Sequence, residues 1–184
     1  MAKLTLETER LRLRPYREDD VFELLPLIGA REVAATTLRI PHPYTEQDAR
    51  DFIASTQAAD AHDVRRAITL RNDGRLIGGI GLHLHPTHHH AELGYWLGIP
   101  YWGHGYATEA AGEMLRFGFE NVRLNRIFAS HFSNNPASRN VLRKLGMRHE
   151  GSQREHVCKW GTFLDLEMYA ILRREWQPSK EVRE

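Results

Sequence analysis

The sequence predicts a mixed α/β (α+β) domain, and three observations carry that expectation. Strand-like alternation and helix-like spacing succeed one another in the order β-α-α-β-β-β-α-β-α-β-β, which departs from a pure βαβ winding. A chain of 184 residues, 41% of them hydrophobic, is long enough to bury one sizeable core. No linker rich in Pro, Gly or Ser interrupts it and no internal repeat divides it, so residues 1–184 read as one domain.

Apolar and basic residues alternate over Leu11-Arg12-Leu13-Arg14, which predicts a strand over 9–14 stopped by Pro15. Asp19 and Asp20 then stand where they would cap a helix over 20–29, with Val21, Leu24, Leu25 and Ile28 at helical spacing. Pro41 and Pro43 mark a loop. Thr45, with Asp48 three residues on, opens an acidic helix to about residue 60 whose inner face is Ala49, Phe52, Ile53 and Thr56. Residues 64–71 and 75–85 read as a hairpin joined by Asn72-Asp73-Gly74. Residues 87–90 turn the chain into a strand over 92–99, ended by Pro100, in which Gly98 suggests a bulge. A helix over 106–120 carries Ala110, Ala111, Met114, Leu115 and Phe119 inward. A strand over 126–132, a helix over 136–145 closed by Gly146, and two strands over 147–157 and 163–173 complete the chain.

Composition excludes several classes. There are 25 Lys+Arg against 24 Asp+Glu, so no excess of charge marks a polyanion-wrapping arm or an acidic tail. The helix over 136–145 has Arg139, Arg143 and Lys144 at helical spacing but no helix-turn-helix partner. The aromatics Tyr95, Trp96, Tyr101 and Trp102 come without an RNA-binding sheet motif, so nucleic acid is not an expected partner. The single cysteine, Cys158, forms no intramolecular disulfide and reads as a small buried hydrophobe rather than a nucleophile. Residues 1–7 lack an apolar signal region and no run approaches ~18 apolar residues, so no membrane partner and a cytoplasmic, reducing location are expected. His83, His85, His88, His89 and His90 put five imidazoles in eight residues, but a polar hairpin turn explains them and no metal is expected.

The chemistry is concentrated in two stretches. In the first, a strand ending at Gly98-Ile99-Pro100 leads through Tyr101-Trp102 into Gly103-His104-Gly105-Tyr106-Ala107-Thr108-Glu109, where a Gly-x-Gly turn opens a helix. Two glycines permit a tight turn and close backbone approach, and the unpaired N–H groups and dipole of the helix start suit a phosphate or pyrophosphate. No Gly-Lys-Ser/Thr follows, so this is not a Walker loop, and Thr108 replaces the third glycine of the dinucleotide fingerprint. In the second stretch, Asn135-Pro136-Ala137-Ser138 sets an amide and a hydroxyl three residues apart at a helix start, one β-α unit downstream.

Together these stretches resemble the GNAT superfamily of acyl-CoA-dependent N-acetyltransferases, in its Rim-type branch of ribosomal-protein N-terminal-alanine acetyltransferases and relatives. Gly103 to Ala110 is similar to the family's pyrophosphate loop, and Asn135 to Ser138 with Leu145-Gly146 to its second CoA motif. The ends, Glu7 to Arg14 and Asp165 to Trp176, are also similar to Rim-type ends. The resemblance implies a twisted, mostly antiparallel sheet of about seven strands flanked by helices. It implies acetyl-CoA as co-substrate and direct attack by a primary amine, with a homodimer on the pattern of the relatives. The acceptor class stays open among a protein N-terminus, a polyamine, an aminoglycoside and other small amines.

For the site, the resemblance implies Glu92 as the base, and the N–H of Leu97 or Gly98 as a donor to the developing oxyanion. Leu97 and Ile99 would pair with the pantetheine arm, and Gly103, His104, Gly105, Tyr106, Ala107 and Thr108 would cradle the phosphates. Asn135 would hold an amide of the arm, Arg139 would lie beside the phosphates, and Ser138 would protonate the leaving thiolate. Two positions depart from the family pattern: Trp102 stands where Gln or Arg is common, and Leu142 where many relatives carry a tyrosine acid. The second departure keeps open a catalytically silent acyl-CoA-binding or regulatory protein.

The near-neutral total conceals two opposite fields. Residues 121–148 hold Arg123, Arg126, Arg139, Arg143, Lys144 and Arg148 without an acid, a charge of +6. Residues 45–63 hold Glu46, Asp48, Asp51, Asp60 and Asp63 against Arg50, a charge of −4. The first would face CoA phosphates and the second would attract a cationic acceptor.

Overall fold

A computed structural model describes residues 4–57 and 63–177; Asp60 of the acidic segment and the end of its expected helix lie outside the described residues. The expected strand over 9–14 is β2 (Leu11–Arg14), and an unexpected two-residue strand, β1 (Leu6–Glu7), precedes it; the two pair antiparallel, joined by a turn in which the Thr8 N–H donates to Leu11 O at 2.9 Å. Helices α1 (Asp20–Ile28), the short α2 (Arg31–Ala35) and α3 (Glu46–Gln57) follow. A meander of β3 (Asp63–Leu70), β4 (Leu76–His85) and β5 (His90–Leu97) leads to α4 (Tyr106–Glu120). Then come β6 (Arg126–Phe132), α5 (Pro136–Lys144), β7 (Arg148–Lys159) and β8 (Thr162–Leu172).

The eight strands form one sheet in the order β1-β2-β3-β4-β5-β6-β8-β7, in which only the β5–β6 neighbours run parallel. The pleat sends alternate side chains to opposite faces. On one face Ile80, Leu82, Ala91, Leu93, Ile127 and Ala129 bury against Ala110, Met114 and Leu115 of α4 and Leu142 of α5. On the other, Ala67 and Leu76 bury against Val21, Leu24 and Ile28 of α1 and Ala49 and Ile53 of α3. Trp96 packs against this second cluster.

Local expectations fare unevenly. Thr45 and Asp48 do form reciprocal caps: the Thr45 N–H donates to Asp48 Oδ2 at 2.8 Å and the Asp48 N–H to Thr45 Oγ1 at 3.1 Å. Asp19 and Asp20 do not cap α1. The N-cap Asp19 makes no side-chain bond, and Asp20 is buried, accepting from both Nη atoms of Arg14 at 2.7 and 2.6 Å and from the Arg17 N–H at 2.8 Å. A guanidinium buried in the second layer demands a paired carboxylate, and that demand outweighs a helix cap. Cys158 is exposed near the tip of the β7–β8 hairpin rather than buried, because that tip stands clear of the core.

Gly98 is not a bulge. The β4–β5 register runs unbroken from Gly78↔Leu97 to His85↔His90, and the Gly98 N–H donates to Ile77 O at 2.9 Å. Its backbone is extended and heads a single 3-10 turn, Ile99–Tyr101. Packing favours glycine there: a Cβ would lie 2.6 Å from Leu27 Cδ2 and 3.2 Å from Leu27 Cβ of α1, so that side chain would have to shift.

Candidate active site

The sheet opens at its one parallel pair. β5 and β6 pair at His90↔Arg126, Ala91↔Ile127 and Glu92↔Phe128, and then part, while β6 stays paired with β8 through Phe132. Beyond Glu92 the strands leave a V-shaped gap whose walls carry unpaired backbone groups. Gly98 bonds to β4, and the carbonyl of His89 accepts from the first residues of β6, so odd-numbered residues of β5 aim their N–H and C=O toward β6. The edge facing the gap is therefore Leu93, Tyr95 and Leu97.

That edge differs from the pair Leu97 and Ile99. Ile99 lies in the 3-10 turn, where its carbonyl accepts from the Trp102 N–H at 3.1 Å. The Leu97 carbonyl is already taken by the Trp102 indole N–H at 2.8 Å, which leaves the Leu97 N–H for a ligand. Trp102 thus closes the end of the strand, a role that the departure from Gln or Arg did not suggest.

The Gly-x-Gly turn has the geometry of an anion cradle. Gly103 and Gly105 adopt φ of +78° and +83°, the left-handed region that favours glycine, and no atom lies within 4 Å of where a Gly103 Cβ would be. The first backbone bond of α4 runs from the Glu109 N–H to Gly105 O, so the N–H groups of Tyr106, Ala107 and Thr108 point out of the helix end. The open turn and outward N–H groups fit a pyrophosphate. His104 is exposed and stacks on Tyr106 at 5.8 Å.

Contacts distant in sequence hold this loop, and local spacing gives no sign of them. Glu109 accepts from Thr8 Oγ1 at 2.6 Å, from the Arg10 N–H at 2.8 Å and from Arg10 Nε at 2.7 Å. Arg10 also donates to His104 O at 3.1 Å and lies 4.7 Å above the Tyr106 ring. Burial alone would raise the Glu109 pKa; the bonds from Thr8 and Arg10 outweigh it and hold the carboxyl below its usual range.

Across the gap, Asn135 is the N-cap of α5: its Oδ1 accepts the Ser138 N–H at 3.1 Å. The Asn135 oxygen is committed to the helix, and its amide NH2 is what remains for a ligand. The Ser138 hydroxyl lies 2.8 Å from the Tyr95 phenol. Leu142 is fully buried against the α4-side core and has no proton to give. Arg139 is exposed on α5 with Arg143 and Lys144, and none of the three meets a carboxylate among the described residues. Arg126 and Arg148 of the same basic segment are neutralised by Glu150 and Glu175, so the +6 island is weaker than its sum.

Glu92 projects from the opposite face of β5, the α1–α3 face, at the apex of the V. Its side chain is one-third exposed and has Arg39 Nη2 at 3.7 Å. Its cross-strand neighbour His83 bonds through Nδ1 to Asp63 Oδ1 at 2.6 Å. Asp63 also pairs with Arg65, and Glu46 pairs with Arg50, so the acidic segment is partly neutralised too. Among the described residues no three His, Cys, Asp or Glu side chains are placed to hold a metal, and no helix is long and apolar enough to cross a membrane.

Comparison with known proteins identifies the chain that carries this splayed strand pair and glycine-turned helix start as an acyl-CoA-dependent N-acetyltransferase. Residues 10–148 match the family model for the acetyltransferase (GNAT) domain, and the chain belongs to that family. It is 32% identical over 176 residues to the uncharacterized N-acetyltransferase p20 of Bacillus licheniformis, spanning 94% of this chain and 98% of that one. It is 27% identical over 92 residues to the [ribosomal protein uS5]-alanine N-acetyltransferase of Escherichia coli (strain K12), spanning 50% of this chain and 47% of that one. The crystal structure of a GNAT-family acetyltransferase from Bacillus anthracis superimposes with a TM-score of 0.85 at 28% identity, covering 94% of this chain and all of that one (100%).

Proposed function

We propose that this protein moves the acetyl group of acetyl-CoA directly to a primary amine, without a covalent enzyme intermediate. The observation that carries the reading is the gap between β5 and β6, with the Gly103–Thr108 cradle toward one face of the sheet and Glu92 on the other. The α4 and α5 side then holds the nucleotide phosphates and the pantetheine arm, against the N–H groups of Tyr106, Ala107 and Thr108, the open turn at Gly103, His104 and Gly105, and Arg139. The edge at Leu93, Tyr95 and Leu97 pairs with the arm as a further strand would, and the Asn135 amide NH2 donates to one of its carbonyls. A backbone N–H of this edge stabilises the carbonyl oxygen as it gains charge.

The amine arrives from the α1–α3 side. A protonated amine cannot attack, so Glu92 accepts its proton directly or through water. Ser138, across the gap, gives a proton to the sulfur as the thioester breaks. Proton removal and proton delivery thus fall on opposite faces of one strand, which keeps the base from quenching the acid. The acceptor is a protein N-terminal amine or a small amine; the Escherichia coli relative named above, which acts on a ribosomal-protein alanine, favours the former.

One observation favours a silent acyl-CoA-binding protein: Leu142, where the family resemblance implies a tyrosine acid, is fully buried and has no proton to give. Thiol release from acetyl-CoA, measured with a panel of N-terminal peptides, polyamines and aminoglycosides, separates the two. Release with at least one amine establishes the transferase. Acetyl-CoA binding without release favours the sensor, and no binding refutes both.

A further inference from the structure

The missing acid at Leu142 leaves Ser138 to protonate a leaving thiolate, and an isolated serine is a poor donor. What surrounds Ser138 differs from an isolated serine. Its backbone N–H is fixed by Asn135, which sets the first turn of α5. Its Oγ lies 2.8 Å from the phenol of Tyr95, and the same phenol is 3.5 Å from the Ser138 carbonyl. Tyr95 is also the middle residue of the β5 edge that faces the gap, so one residue lines the edge with its backbone and crosses to α5 with its side chain. Its phenol thus joins the two walls where the sheet has split.

We propose that Tyr95 is the positioning residue for the acid step, donating its phenolic proton to Ser138 Oγ so that the serine's own proton is turned toward the leaving sulfur. This rests on the transferase reading above. Of the two hydroxyls the phenol is the more acidic and therefore the better donor, and Ser138 Oγ, once it accepts, has its O–H free for a third atom. Burial pushes the Tyr95 phenol up to about 12, against the smaller opposing effect of its bond to Ser138, so it stays protonated through the cycle.

The step balances without another reactant. The amine nitrogen forms the new C–N bond and loses a proton on the Glu92 side. The C–S bond breaks with its electron pair on sulfur, and sulfur takes the Ser138 proton. Water delivers a proton to the serine oxygen as that oxygen gives up its own, so no alkoxide stands beside the more acidic phenol; Tyr95 keeps its proton, and the proton taken on the Glu92 side returns to solvent. The buried leucine at 142 is then consistent with an active enzyme: the hydroxyl function has moved to a pair made by β5 and α5.

The test compares Tyr95→Phe, Ser138→Ala and the double variant with the parent protein, using thiol release for rate and titration with CoA for affinity. The phenylalanine keeps the ring in its packing and removes only the hydroxyl. Expected are a fall in kcat of about tenfold for Tyr95→Phe, an affinity for CoA within about twofold of the parent, and a double variant no slower than Ser138→Ala alone. An unchanged kcat, an equal loss in CoA affinity, or multiplicative effects in the double variant would overturn the assignment. An active parent with an unaffected Tyr95→Phe variant refutes this inference alone, whereas a parent inactive with every amine refutes the transferase reading and this inference with it.

Discussion

Arg10 and Glu109, 99 residues apart, are joined three times: the Arg10 backbone N–H and Nε donate to the Glu109 carboxylate at 2.8 and 2.7 Å, and Nη2 lies 2.7 Å from its Oε2. The pair clamps the β1–β2 turn onto the first turn of α4, beside the loop proposed to hold pyrophosphate. The Glu109 side chain is mostly buried but that of Arg10 is 44% exposed, so solvent screens part of the clamp. Because its carboxyl sits below the usual range when folded, the stability it supplies is present above the unfolded carboxylate's pKa and is lost as pH falls through the folded value. Glu109→Gln should cost about 1–3 kcal/mol in urea unfolding at pH 7, with the difference from the parent shrinking below about pH 4. A difference that is the same at both pH values would refute the clamp.

Gly105 heads α4 at a φ of +83°, and a Cβ there would meet only Arg10 Nη2, at 3.5 Å. Space is therefore not the obstacle to a side chain; the backbone conformation is. A β-branched residue at this φ costs about 1–2 kcal/mol and is relieved by rotating the turn, which turns the N–H groups of the cradle away from a phosphate. Gly105→Val is expected to weaken CoA binding by about tenfold or more in calorimetric titration. Unchanged affinity would remove the loop from the binding site.

Glu92 stands at the apex of the gap with Arg39 beside it, on the face away from α4. If it accepts the amine's proton, Glu92→Gln should lower kcat/KM by about a hundredfold, and most at low pH, where free amine is scarce. The pH–rate profiles of parent and variant should then diverge toward acid. Parallel profiles would assign the proton to water alone.

The elements that periodicity predicted best are those whose stability comes from one continuous apolar stripe. The helix over 106–120 and the strand over 126–132 occur with those bounds, because Ala110, Met114, Leu115 and Ile127 are core residues and glycine or turn chemistry flanks them. Helix α2 went unread, since five residues cannot display a helical period. The capping role expected of Asp20 failed because its partner, Arg14, is brought in by the second layer of the fold rather than by local spacing. The same holds for the site. The glycine turn and the Asn135–Ser138 pair are local and legible, whereas Arg10 with Glu109, Trp102 with Leu97 and Tyr95 with Ser138 depend on where the sheet splits and how the turns pack against it.

The Arg14–Asp20 pair is the most deeply buried ion pair among the described residues, with side chains only 10% and 3% exposed. The hydrogen bond to Asp20 raises the Arg14 guanidinium above its usual value, against the opposing effect of burial. Removing one partner strands the other's charge, so Asp20→Ala should cost about 3–5 kcal/mol in chemical unfolding. Arg14→Met combined with Asp20→Ala leaves the Arg17 N–H and the Pro15 carbonyl without these partners but strands no charge, and should recover part of that loss. A double variant as unstable as the sum of the singles would show that the two side chains act independently.

Lys159, on the last residue of β7, donates to the carbonyls of Thr37 at 2.9 Å and Ile40 at 3.0 Å, fixing the loop after α2 to the tip of the β7–β8 hairpin. Trp160 adds to the join, with Arg31 at 4.9 Å over its ring and His42 at 5.9 Å. The loop so held carries Arg39, the residue that reaches Glu92. Burial lowers the Lys159 pKa, a cost the two carbonyl bonds offset. These contacts lie on the face from which the amine is proposed to arrive, and none touches the α4 loop. Loosening them should therefore affect the acceptor and spare the cofactor. Lys159→Met keeps most of the aliphatic stem and removes the ammonium; it is expected to raise KM for the amine about three- to tenfold, with CoA affinity unchanged. An equal weakening of both ligands would mean that the hairpin supports the whole domain rather than the acceptor side, and no change in either would mean that the loop holds its place without Lys159.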